Sequence, residues 1–90
     1  VEGGPELIRR MAWCSGGAQG MIDRADALGA DAYLSGEISE PTVHSAREQG
    51  LHYFAAGHHA TERDGVQALG AALAEAHGIE HRFIEDPSPA

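Results

Sequence analysis

The residues best suited to chemistry in this chain lie at 57–62, which read Gly-His-His-Ala-Thr-Glu. They follow an apolar run at 51–56 and open a pattern in which apolar residues recur every three or four positions, as in an amphipathic helix. His58 and Glu62 are four residues apart, so a helix places them on one face, where both can bind one metal ion. His59 is also within reach of Glu62, so spacing alone leaves two candidate histidines. The alternative is that the pair merely caps a helix.

Composition narrows the classes of partner. Fourteen acidic residues against six Lys and Arg give a net charge of -8, which argues against nucleic acid. Cys14 is the single cysteine, so the chain has no internal disulfide, which fits a reducing compartment. We find no signal peptide and no run long enough to span a membrane. These features predict a cytoplasmic protein without a membrane partner. The start at Val1 rather than Met suggests either a processed start or a piece of a longer chain, and we favour the piece.

Short apolar runs alternate with helical patterns, which is typical of an α/β fold. The predicted order is β-α-β-α-β-α-β, a mainly parallel or mixed sheet flanked by helices. The first strand is too apolar for an exposed edge, and the third is apolar enough to be central. The last carries charged residues and is predicted at an edge. The strands are predicted at 8–14, 32–34, 51–56 and 79–84, and the helices at about 19–28, 41–50 and 58–77.

Three strand-to-helix turns are expected to meet at the carboxyl edge of this sheet, at 14–20, 35–40 and 57–62. The middle turn contributes Glu37, which is a candidate metal ligand, a candidate general base or simply an acid near a helix. A helix N-terminus repels a cation, so an anionic ligand such as Glu62 is needed there. Two protein ligands are too few for a catalytic metal. Either Glu37 contributes or the remaining ligands lie outside this chain.

Other motifs are less specific. The glycine-rich turn at 15–20 could present N–H groups to a phosphate, but it lacks the P-loop lysine, so a tight turn is the better interpretation. His44 and Glu48 also have i,i+4 spacing, which favours an ordinary solvated helix pair. Cys14 is predicted to be a small buried side chain rather than a nucleophile.

Four segments of the chain resemble the GTP cyclohydrolase I type 2 homologue family, also described as dinuclear-metal-centre hexameric or NGG-interacting-factor-three-like proteins. They read Trp-Cys-Ser-Gly-Gly at 13–17, Gly-Glu-Ile-Ser-Glu at 36–40, His-Ser-Ala-Arg-Glu-Gln-Gly at 44–50 and Ala-Gly-His-His-Ala-Thr-Glu-Arg at 56–63. The resemblance covers essentially all ninety residues and corresponds to the C-terminal part of a larger α/β subunit. It implies a homo-oligomer, a toroidal hexamer, with two divalent metal ions facing an internal cavity.

The resemblance also implies roles for single residues. His58 and Glu62 match the family's metal-binding histidine and glutamate, whereas His59 falls where the family often has tyrosine and receives no role. Glu37 matches an acidic residue that lines the same cavity, and His44 matches a recurring histidine near it. Both are candidates for tuning a ligand or moving a proton. The family's other ligands come from an N-terminal half that residues 1–90 do not include.

The function expected from this resemblance is a metal-dependent hydrolase that acts on a small phosphate- or nucleotide-like molecule. The alternative is a non-catalytic hexameric scaffold or interaction module that holds metal. Histidine and carboxylate ligands suit zinc, iron and manganese alike, so the sequence does not choose the metal.

Overall fold

A computed structural model describes all ninety residues of the chain as an α/β fold. Three parallel strands form one sheet in the order β1-β2-β3. A 3-10 turn at Gln19–Met21 leads into the first helix, and no helix is both long and apolar enough to cross a membrane. The strands are β1 (Met11–Cys14), β2 (Ala32–Ser35) and β3 (His52–Ala55), and the helices are α1 (Ile22–Ala27), α2 (Glu40–Gln49) and α3 (His58–His77).

Local sequence signals account for where the helices end. Gly29, Gly50 and Gly78 follow the three helices and take the left-handed conformation that suits glycine. At the start of α2, the N–H of Ser39 donates to the hydroxyl of Thr42 at 3.3 Å, which satisfies one backbone donor of the first turn. The predicted bounds of α3 are confirmed at both ends.

The core lies between the sheet and the helices α1 and α2, which also pack against each other. The rings of Tyr33 and Tyr53 meet edge to face at its centre, with centroids 5.6 Å apart. This is a favourable arrangement for two aromatic rings. The core consists of six buried residues, Ile22, Ala25, Tyr33, Ala46, Leu51 and Tyr53.

The order of the strands corrects two predictions. β3 was expected to be central, but β2 lies in the middle and β3 forms an edge. β1 was expected to avoid an edge, but it forms the other one, and the side chain of Trp13 is 75% exposed. Each helix returns the chain to the next position in the sheet, so the second strand becomes the middle one whatever the hydropathy of its neighbours.

The fourth predicted strand, at 79–84, is absent. Helix α3 leaves the sheet and makes only marginal contact with the other helices and strands. Twenty residues of helix extend for about 30 Å, so the segment after Gly78 begins far from either sheet edge. Instead it returns along α3, where the Phe83 ring lies 5.8 Å from the Arg63 guanidinium.

Candidate metal site

The three strand-to-helix turns meet at the carboxyl edge of the sheet, as the sequence predicted. The N–H of Gly36 donates to the carbonyl of Gly16 at 2.9 Å, and the N–H of Gly57 donates to the carbonyl of Gly36 at 2.9 Å. These bonds continue the pattern of the parallel sheet beyond the ends of its strands. They hold the first turns of the loops in register.

Glycine at position 36 is required by the close approach of its neighbours. A Cβ atom there would lie 2.6 Å from the carbonyl oxygen of Gly16 and 2.7 Å from the Cα of His58. Both contacts are with backbone that cannot rotate away. Any larger residue would separate the three turns and move His58.

His58 lies between two carboxylates. Its Nδ1 is 2.6 Å from Glu37 Oε1, and its Nε2 is 3.1 Å from Glu62 Oε2. Glu37 and Glu62 therefore occupy opposite sides of one imidazole ring. The side chains of His58, Glu37 and Glu62 are 39%, 45% and 52% exposed, so the cluster is open to solvent.

The two carboxylates change the proton equilibrium of the ring. The hydrogen bond to Glu37, together with the charges of Glu62 and Glu37, raises the pKa of His58 against a smaller opposing effect of burial. The same hydrogen bond to His58 lowers the pKa of Glu37. Metal-free protein at neutral pH thus favours an ionised Glu37 and a more basic His58.

Two groups that sequence reasoning missed hold Glu37 in place. The Tyr53 hydroxyl donates to the backbone carbonyl of Glu37 at 2.6 Å. The side-chain amide of Gln19 donates to Glu37 Oε2 at 3.3 Å. Neither contact could be found from spacing, because Gln19 and Tyr53 are distant in sequence and meet Glu37 only through the sheet.

Thr61 is a third residue that the sequence did not single out. Its hydroxyl accepts the N–H of Gly16 at 2.9 Å and lies 2.9 Å from the carbonyl of Gly57, to which it can donate. The first turn is thereby joined to the start of α3. The only feature of the sequence that pointed to Thr61 is its position between His58 and Glu62.

The remaining predicted residues lie elsewhere. His44 is exposed on α2 and forms no hydrogen bond or ion pair with the cluster, so its role near the site remains a prediction. The ring of His59 faces the C-terminal segment, where it shares a cavity with Phe83 and Ile84. Cys14 is half-buried against the core.

Two amides of the glycine-rich turn are already bound within the protein. The N–H of Gly16 is bound by Thr61, and the N–H of Ala18 donates to the Ser35 hydroxyl at 3.2 Å. The Ser35 hydroxyl also lies 3.1 Å from the Gly16 carbonyl, to which it donates. These bonds favour a tight turn over a phosphate cradle.

The cluster fits part of a metal site. Two ligand atoms bound to one ion at about 2.0–2.2 Å are separated by roughly 3 Å, and His58 Nε2 and Glu62 Oε2 are 3.1 Å apart. Glu37 meets the opposite ring nitrogen, as a carboxylate behind a metal-bound histidine does. No group of three or more His, Cys, Asp or Glu side chains is arranged to hold a metal. His58 and Glu62 thus form an incomplete ligand set.

Comparison with known sequences identifies the family. A sequence model of the Duf34/NIF3 (NGG1p interacting factor 3) family matches residues 1–89. The chain belongs to the Duf34/NIF3 family. This confirms the resemblance inferred from its motifs.

Curated members of this family are much longer than ninety residues. A protein of Pseudomonas aeruginosa named GTP cyclohydrolase 1 type 2 homolog is 68% identical over 92% of this chain and 33% of its own length. The protein of the same name from Escherichia coli K12 is 56% identical over 97% of this chain and 35% of its own length. The chain therefore spans about a third of these relatives.

Two solved structures share the fold. One, described as protein ybgI of unknown function, superposes with a TM-score of 0.91 at 56% identity, over 97% of this chain and 35% of that one. The second, TTHA1606 from Thermus thermophilus, gives a TM-score of 0.77 at 33% identity, over 87% of this chain and 31% of that one. The Duf34/NIF3 segment thus keeps its α/β arrangement within much longer chains.

Proposed function

We propose that this Duf34/NIF3 chain is the C-terminal segment of a larger subunit and supplies one side of a divalent metal site. His58 and Glu62 would be its ligands. The position of His58 between Glu37 and Glu62 carries the proposal, because it leaves one ring nitrogen beside a second ligand. Further ligands come from outside residues 1–90, and two ions of zinc, iron or manganese would complete the site in the intact protein.

Glu37 is assigned to orienting the histidine rather than binding the same ion. When its carboxylate accepts a hydrogen bond from Nδ1–H, the neutral ring keeps its lone pair at Nε2, beside Glu62. Gln19 and Tyr53 restrain Glu37 from two sides. This chain would therefore set the direction of the ring before an ion arrives, and its tautomer once Nε2 gives up its proton to the ion.

The proposed activity is metal-dependent hydrolysis of a small phosphate- or nucleotide-like molecule in the cytoplasm. The naming of the relatives as GTP cyclohydrolase 1 type 2 homologs supports a nucleotide. A pair of divalent ions, when bound, would supply an activated water and stabilise negative charge on a phosphate or carbonyl oxygen. In this arrangement Glu37 would hold the proton of His58 at Nδ1.

Turnover by the metal-loaded, full-length protein tests this activity. Phosphate release and ring opening are measured with GTP, and phosphate release with simple phosphomonoesters. The variants are Glu62→Gln and, as a control on the same helix, Glu75→Gln. We expect hydrolysis to require the metal and to be lost in Glu62→Gln but retained in Glu75→Gln. Equal turnover in the two variants would contradict the assignment of Glu62.

A non-catalytic scaffold, in which a hexamer holds metal for structure or for a binding partner, is the second candidate. One observation favours it: both oxygens of Glu37 are already engaged, by His58 and Gln19, so Glu37 is not free to act as a general base. A stable ring that retains its ions but shows no metal-dependent hydrolysis of any substrate tested would support this role.

A further inference from the structure

The first residue of the chain pairs with the outer edge of β3. The Val1 nitrogen donates to the carbonyl of Tyr53 at 2.7 Å, and the N–H of Tyr53 donates to the carbonyl of Val1 at 2.9 Å. Two residues that exchange both backbone hydrogen bonds form the narrow, hydrogen-bonded pair of an antiparallel ladder. Val1 therefore adds one antiparallel residue to an otherwise parallel sheet.

The residues after Val1 are also held closely against the body. A Cβ atom at Gly3 would lie 2.7 Å from the carbonyl oxygen of Leu51. At Gly4 it would lie 2.6 Å from the carbonyl oxygen of Asp31. The carbonyl of Pro5 lies 2.7 Å from a ring nitrogen of His52. Val1 itself packs against the hydrophobic core, so its pairing with β3 belongs to a docked segment rather than a loose end.

The edge of β3 continues beyond this pair with free backbone groups. His52 and Ala56 donate their N–H groups toward β2, to Asp31 and Ser35. Because strand residues alternate, Tyr53 and Ala55 present theirs to the opposite side. The backbone groups of Tyr53 are bonded to Val1, whereas Ala55 is exposed. The neighbouring Phe54 side chain is 43% exposed.

We propose that the residues directly before Val1 in the full-length protein form a fourth strand, antiparallel to β3. In an antiparallel ladder the next hydrogen-bonded pair joins the residue two before Val1 with Ala55, and the residue immediately before Val1 lies opposite Phe54. The sheet becomes mixed, and β3 becomes an interior strand.

The direction of this strand connects it to the candidate metal site. Going backward from Val1, it follows β3 toward the carboxyl edge, where His58 begins α3. The preceding part of the subunit therefore reaches the sheet from the side that carries Glu37, His58 and Glu62. The rest of the subunit can thus reach the incomplete ligand set, His58 and Glu62, at that edge.

The strand that pairs with the free edge of β3 comes from this chain rather than from a second copy, for two reasons. Val1 already fixes the register and direction of the strand, so its covalent neighbour reaches Ala55 without a new encounter. Relatives that share this segment are about three times as long, and the proposed place of the chain at the C-terminal end of its subunit, on which this inference rests, puts additional residues before Val1. A neighbouring copy would have to displace that continuation.

Hydrogen exchange of the full-length protein tests the proposal. We expect the Ala55 amide to exchange as slowly as the amide of Leu34 in the interior strand β2, at every protein concentration. Exchange at the rate of an unprotected peptide would overturn the proposal. Protection that appears only at high protein concentration would also overturn it, in favour of a second copy.

Proline substitution gives a matched pair of variants in the same protein. Proline two residues before Val1 removes the N–H that donates to Ala55, whereas proline immediately before Val1 removes an N–H that points away from β3. We expect the first variant to raise the unfolding equilibrium constant roughly tenfold more than the second, as for one lost hydrogen bond. Equal effects, or the reverse order, would contradict the predicted register.

Discussion

The sheet body, residues 1–57, and the α3 arm, residues 58–90, are stabilised in different ways. All eleven buried residues lie in the body, while α3 buries none over its twenty positions. The radius of gyration is 16.0 Å, against roughly 12 Å for a compact chain of this length. The arm therefore extends from the body instead of covering it.

The comparison shows that local signals and tertiary contacts can specify different parts of one small chain. The body depends on contacts between residues distant in sequence, such as the Tyr53 hydroxyl with the Glu37 carbonyl. The arm depends on helical periodicity between Gly57 and Gly78, and leaves an apolar stripe of Val66, Leu69 and Leu73 exposed. The candidate metal site lies where the two regions join.

The largest predicted difference is between matched leucines in the two regions. Leu51→Ala removes a fully buried core side chain and should lower the free energy of unfolding by about 2–5 kcal/mol. Leu69→Ala removes a side chain that is 61% exposed and should change it by less than about 0.5 kcal/mol in the ninety-residue chain. Denaturant unfolding measures both. A cost for Leu69→Ala equal to that for Leu51→Ala would show that the arm is packed as tightly as the body.

Glycines give the second comparison. Gly36→Ala places a methyl group against backbone of two neighbouring turns and should cost about 1–3 kcal/mol. Gly65→Ala, on an exposed position of α3 with nothing nearby, should stabilise by about 0.5–1 kcal/mol because alanine favours helix. Thermal unfolding of both variants measures the two shifts. Shifts of the same sign would contradict the close packing of the three turns.

Thr61 tests the junction between the body and the arm. Thr61→Val keeps the shape of the side chain but removes the hydroxyl that accepts the Gly16 N–H, so we expect a loss of about 1 kcal/mol. Thr61→Ser keeps the hydroxyl and should recover most of it. Denaturant midpoints measure the two variants, and equal losses in both would assign the effect to packing instead.

The smallest predicted effect is the pH-dependent contribution of Asp31 to the stability of the sheet body. Asp31 accepts the backbone N–H groups of Arg9 and Arg10, each at 2.9 Å, and these bonds lower its pKa from 3.8. A lowered pKa contributes stability that is present above pH 3.8 and is lost as pH falls through the folded-state value.

Asp31→Asn should therefore unfold at a lower temperature than the parent at pH 7, and the difference should shrink below about pH 4. The matched change in the arm is Glu85→Gln, which removes an exposed ion pair with Arg63 and should have little effect at neutral pH. Thermal unfolding across pH measures both variants. A difference between parent and Asp31→Asn that grows in acid would contradict the predicted sign.

Much of the fold could be predicted because its signals are local. The bounds of α3 and the glycines that end each helix follow from periodicity and from the conformational freedom of glycine. The convergence of the three turns follows from the parallel sheet. Three strands were found, although β1 begins at Met11 rather than Ile8.

The errors have a common physical cause. An apolar sequence indicates that a segment tends to be buried, but it does not indicate which other segment buries it. The runs around Trp13 and Phe54 were interpreted as interior strands, yet both lie at edges and remain exposed in this chain. The segment at 79–84 has the composition of a strand but no sheet edge beside it. For the site, His58 and Glu62 follow from their spacing and Glu37 from the convergence of the turns. Gln19, Tyr53 and Thr61 act through contacts that only the folded chain reveals.

The central claim, that His58 and Glu62 bind metal, is tested most directly by the metal content of the full-length protein. Elemental mass spectrometry would compare the parent with His58→Ala and Glu62→Ala, and with the controls His77→Ala and Glu75→Ala on the same helix. We expect near-stoichiometric metal in the parent and both controls, and a clear loss in both site variants. Absence of metal in the parent, or content unchanged in the site variants, would contradict the claim and leave an α/β interaction segment.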